Sequence, residues 1–82
     1  MVIVLATIEL AEGRRDDFLA EFQQVVPLVR AEEGCVEYGP AVDAVTDIEK
    51  QAPLRDNTVV VVERWESLEA LNAHLVAPHM GS

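Results

Sequence analysis

A chain of 82 residues has room for one hydrophobic core and no second domain, and at that size folding buries only roughly 60–65% of the surface that the unfolded chain exposes. Six Lys and Arg against fifteen Asp and Glu leave a net charge of −9, a field that repels nucleic-acid phosphates and anionic membrane surfaces and excludes both as partners. With 50% of its residues hydrophobic, so small a core leaves apolar surface outside it, which points to a homodimer.

From Val2 to Leu10 the even positions are all apolar and the odd ones run Ile3, Leu5, Thr7, Glu9. That two-residue period predicts a strand with one core face and one mixed face. The segment has no basic flank, meets Glu9 early and is too short to span a bilayer, so it is not read as a secretory signal and a cytoplasmic location is expected. Glu12-Gly13 turns the chain into a helix whose Phe18, Phe22, Val25 and Val29 fall on one stripe. Asp16 and Asp17 suit its positive N-terminal end. Pro27 lacks an amide hydrogen and crowds the carbonyl of Gln23, which predicts a kink, and Gly34 is the natural stop.

Cys35 to Asp43 reads as a second strand with Val36, Tyr38 and Val42 on one face, and Pro40 confines it to an edge or a bulge. Cys35 is the single cysteine, cannot form an internal disulfide, and reads as a small buried thiol. Residues 44–57 show no sustained period and form a long polar loop. Thr58 to Glu66 is the clearest strand. Glu63 and Trp65 share the face of Val59 and Val61, Arg64 and Glu66 share that of Val60 and Val62, and a run apolar on both faces belongs in the middle of a sheet. Ser67 caps a last helix on which Leu68, Leu71 and Leu75 make the core stripe, with Asn72 and His74 flanking it. The order βαββα is most of a ferredoxin-like α+β unit. The strand that normally completes a four-stranded sheet has no counterpart in these residues.

The run from Val59 through Glu63, Trp65 and His74 to Pro78-His79 has the order strand, Glu, x, Trp, helix, His, Pro-His. It resembles the antibiotic biosynthesis monooxygenase domain. Val29-Arg-Ala-Glu-Glu-Gly-Cys-Val-Glu-Tyr38 is similar to that family's helix end and second strand, and Ala52-Pro-Leu-Arg-Asp56 to its loop. The resemblance spans nearly the whole chain, without the C-terminal helix and strand that members usually carry. It implies a dimeric α+β barrel, two ferredoxin-like sheets packed across a homodimer, with a pocket in each subunit between sheet and helices.

The resemblance also implies a cofactor-independent monooxygenase acting on a small aromatic quinol, naphthol or anthrone with O2. His74 is the candidate catalytic base, because a partly buried imidazole titrates near neutrality and can take a phenolic proton. Trp65, Asn72, Tyr38 and His79 are the candidate substrate-binding residues. Four of the five have a plainer reading: His74 as a boundary histidine, Trp65 as core, Asn72 as a solvated helix position, Tyr38 as packing at the dimer seam. A metal site is not expected, since His74 and His79 stand about 140° apart on a helix and no third ligand lies nearby. No Gly-rich phosphate loop is present, so no flavin or nucleotide site of that kind is expected.

Relatives that degrade haem imply an Asn on the first strand and an aromatic on the second helix. Thr7 and Ile8 occupy the first place and His74 the second, so haem is not expected as a ligand. A non-catalytic ligand-binding or stress-responsive barrel and a pure oligomerisation module are the other readings.

Overall fold

The alternating pattern at the start of the chain forms strand β1, Val2–Glu9, in a computed structural model that describes residues 1–78. Gly13, at φ +77°, turns the chain into helix α1, Arg15–Arg30. Strand β2, Cys35–Ala41, strand β3, Thr58–Trp65, and helix α2, Leu68–Leu75, follow. β3 pairs antiparallel with both β1 and β2 and lies between them. The chain is therefore an α+β ferredoxin-like βαββα unit, with the valine run central and the Pro40 strand at an edge as its pattern required. Among the described residues no helix is long and apolar enough to cross a membrane.

The β1–β3 register sets Val2 against Trp65, Val4 against Glu63, Ala6 against Val61 and Ile8 against Val59. These residues share the helix-covered face, where Val26, Val29, Tyr38, Val61 and Trp65 form the buried core. Phe18, Phe22 and Val25 of the expected stripe are half-buried beside it. α1 continues through Pro27 to Arg30, with the Ala31 amide donating to the Pro27 carbonyl at 3.2 Å.

Gly34 does not end the helix; it opens β2 at φ +83°, and a Cβ there would lie 2.5 Å from Ala70 Cβ. Glycine both tolerates that backbone and lets α2 rest directly on the entry to β2.

Two expected faces are corrected. In β2, Cys35 opposes Trp65 and Glu37 opposes Arg64, so Val36 is the extra residue of a bulge. The bulge reverses the pleat, leaving Val36 exposed while Tyr38 is buried, and Val42 lies past the strand. On α2, Leu68 and Leu75 are 62% and 57% exposed, and Ala70, Leu71 and His74 turn inward instead. A histidine takes the core position because its ring stacks and its nitrogen finds a carboxylate. The cap is as expected: Ser67 Oγ accepts from the Ala70 amide at 3.1 Å.

The polar loop is held at its base. Arg55 Nε and Nη2 donate to the two carboxylate oxygens of Asp43 at 3.0 and 2.8 Å, and the Arg55 amide adds a third bond at 3.0 Å. Arg15 donates to the Arg55 carbonyl at 3.2 Å.

Candidate active site

β3 delivers Glu63 and Trp65 to the helix-covered face because they are two residues apart. β2 places Tyr38 directly opposite Glu63, and α2 lowers His74 onto them. The His74 and Trp65 ring centroids are 4.6 Å apart, and Tyr38 presents its ring to His74 at 5.6 Å in an edge arrangement. Tyr38 in turn meets Phe22 at 5.6 Å, and Phe22 stacks on Phe18 at 5.4 Å. A row of aromatic rings thus runs from α1 across the sheet to α2.

Two carboxylates enter this row. His74 Nδ1 lies within hydrogen-bond distance of Glu32, which follows α1, at 3.0 and 3.2 Å from its two oxygens. His74 Nε2 lies 4.0 Å from Glu63 Oε1, which accepts the Trp65 indole N–H at 3.0 Å. His74 is 1% exposed, and Trp65, Tyr38 and Glu63 are buried with it. Two acidic groups persist in apolar surroundings because each has a donor.

Burial, with Glu63 and then Glu32 adding to it, pushes the Tyr38 phenol up to about 12. It stays a neutral donor wherever the site works. Burial, then Glu32 and Glu63, also push the thiol of half-buried Cys35 up, which keeps it protonated and a poor nucleophile. The assembly therefore brings together one imidazole, one neutral phenol and one flat indole wall.

Of the residues singled out in the sequence, Trp65, Tyr38 and His74 come together. Tyr38 faces the helices, away from the open sheet face. Asn72 stands on the exposed side of α2, about 200° around the helix from His74. His79 lies outside the described residues. Among the described residues, no three His, Cys, Asp or Glu converge as a metal site.

Sequence reasoning missed Glu32 and Glu63 as members of this group. Glu63 carried a usable signal, since a charge at a core-facing register of β3 requires a partner. Glu32 carried none, because it sits in a turn whose orientation no period fixes.

A family model described as antibiotic biosynthesis monooxygenase matches residues 1–82. The chain is 40% identical over 82 residues to the Escherichia coli K12 protein named "Probable quinol monooxygenase YgiN", an alignment covering 98% of this chain and 78% of that one. It superposes on Rv0793 from Mycobacterium tuberculosis with a TM-score of 0.73 at 27% identity, covering 95% of this chain and 69% of the other. A Deinococcus radiodurans crystal structure shares the fold at a TM-score of 0.77 and 22% identity, covering 99% and 71% of the two chains.

Proposed function

Because the chain belongs to the antibiotic biosynthesis monooxygenase family, we propose that it is a cofactor-independent monooxygenase, working in the cytoplasm as a homodimer, that oxidises a small quinol, naphthol or anthrone to a quinone with O2. Family membership supports monooxygenase activity in general. The observation that carries the finer reading is the imidazole of His74, tilted against Trp65 at 4.6 Å and bonded through Nδ1 to Glu32 in a water-poor setting.

In this reading His74 takes the acidic proton of the bound substrate, giving an electron-rich anion. That anion passes one electron to O2, and the radical pair combines at a ring carbon. One oxygen atom stays as the new carbonyl and the other leaves as water with the carbon's hydrogen and a returned proton. The spin-forbidden step is supplied by the substrate. The protein confines the radicals between apolar walls, and the neutral Tyr38 phenol supplies a donor near the developing oxyanion. Since His74 is 1% exposed, substrate reaches it only as the packing under α2 opens.

The homodimer reading rests on the other side of the sheet. Ile3 and Leu5 are 58% and 66% exposed there, beside half-buried Val62, which pairs with Leu5, and Val60, which pairs with Thr7. A second copy of the same face would cover this strip.

The burial of His74 also favours one other reading, a ligand-binding barrel in which the histidine is structural. Oxygen uptake with a panel of quinols, naphthols and anthrones separates the two. Uptake with quinone formation by metal-stripped protein is the expected result; saturable binding of the same compounds without uptake would leave the binding reading standing.

A further inference from the structure

We infer that Glu32 is the positioning residue of the His74 base: it fixes the proton on Nδ1, making Nε2 the nitrogen that receives the substrate's proton. The inference rests on the reading of His74 as a base given above.

A neutral imidazole carries one proton on either nitrogen, and its neighbours decide which. An ionised carboxylate can only accept, so Glu32, with both oxygens within 3.2 Å of Nδ1, requires the proton there. On the opposite side Glu63 is 4.0 Å from Nε2, too far for a hydrogen bond, and its Oε1 already accepts from Trp65. The asymmetry is set by the fold. Glu32 comes from the turn after α1, 42 residues before His74, and Gly34 beside it lets α2 approach closely enough for the pair to form.

When the substrate O–H bond breaks and an Nε2–H bond forms, the resulting imidazolium lies between two carboxylates. Glu32 holds it at 3.0 Å and Glu63 stands at 4.0 Å. Among the described residues, Tyr38 and Cys35 of β2 are titratable neighbours held neutral, while Arg30 is engaged by the Tyr38 carbonyl at 3.0 Å. Glu32 thus orients the base before transfer and stabilises its charge after it, the part a second carboxylate plays behind a catalytic histidine elsewhere.

The test compares the full chain with Glu32→Leu and Glu32→Gln, by nitrogen NMR of the histidine ring and by quinol-dependent oxygen uptake. His74 in the unaltered protein should show a protonated Nδ1 and a bare Nε2. Glu32→Leu should release the proton from Nδ1, so that the Nε2–H tautomer gains population, and lower kcat by about 100-fold with a much smaller change in KM. Glu32→Gln keeps an acceptor at Nδ1 and should keep the tautomer. Losing the negative charge removes the counter-ion of the imidazolium, so kcat should still fall, by less than in Glu32→Leu.

An Nε2–H tautomer in the unaltered protein, or Glu32→Leu with tautomer and kcat unchanged, overturns the role of Glu32. The spectrum needs no substrate. Inactive protein with Nδ1–H intact would instead overturn the reading of His74 as a base, and with it the catalytic part of Glu32.

Discussion

Toward the helices, Val59, Val61, Glu63 and Trp65 of β3 meet Tyr38, Val29 and His74 and are closed from water. Away from the helices, Val60, Val62 and Arg64 of the same strand lie beside Ile3, Leu5 and Thr7 of β1 and Glu37 of β2. The first face carries charge, aromatic rings and an imidazole in a satisfied network. The second carries little but aliphatic side chains and one exposed ion pair, Arg64 to Glu37 at 3.1 Å. The contrast is one of chemistry and not only of burial. The proposed reaction falls where polar groups are packed, and the proposed dimer contact where apolar groups are left open.

The division is broken most severely from the helix side. Trp65→Ala empties the largest fully buried side chain and should cost about 3–5 kcal/mol. That is a large share of the roughly 5–15 kcal/mol that holds a domain folded. Urea unfolding should show a lower midpoint that corresponds, through the m-value, to that loss, and an unchanged midpoint would remove Trp65 from the core.

On the open face, Leu5→Glu should leave the fold of one subunit within about 0.5 kcal/mol of its original stability while halving the mass seen by light scattering at micromolar concentration. A mass of one chain for the unaltered protein would remove the homodimer.

Tyr38 sharpens the contrast spectroscopically, because it is the only tyrosine. Its phenol is pushed from 10.0 up to about 12. A raised acid stabilises the fold fully below its unfolded pKa, so this contribution should be complete below pH 10 and lost as pH rises toward 12. Ultraviolet titration showing phenolate at pH 10 in folded protein would contradict its burial among the rings.

The smallest effect lies outside both faces, at the loop clamp. The side-chain bond from Arg55 holds the Asp43 carboxyl down to about 2, from an ordinary 3.8. A depressed carboxylate stabilises above its unfolded pKa, so the clamp should loosen as pH falls from about 4 toward 2. Loop amide shifts should follow that titration, weakly and with salt sensitivity, since the pair faces solvent.

The strands and helices were legible because each carries its own period, and the central place of β3 followed from a run apolar on both faces. The bulge at Val36 was not legible, because pairing with Trp65 and Arg64 decides it and no local pattern shows an extra residue. The inward turn of His74 in place of Leu75 was hidden for a related reason. A histidine becomes a core residue only when partners distant in sequence, Glu32 and Trp65, receive it. Three residues of the candidate site could be named from the sequence, whereas the carboxylates beside His74 and Trp65 emerged only from the fold. The Asp43–Arg55 clamp closes a loop without periodicity, and nothing in residues 44–57 announced it.

The proposed division between a reactive face and an adhesive one rests on His74 more than on any other residue. Oxygen uptake with a quinol substrate by folded, dimeric His74→Gln tests it most directly. Turnover about 100- to 10,000-fold below that of the unaltered protein, with substrate still bound, is the result predicted for loss of a general base. Turnover equal to that of the unaltered protein would make His74 a core histidine and move the chemistry elsewhere.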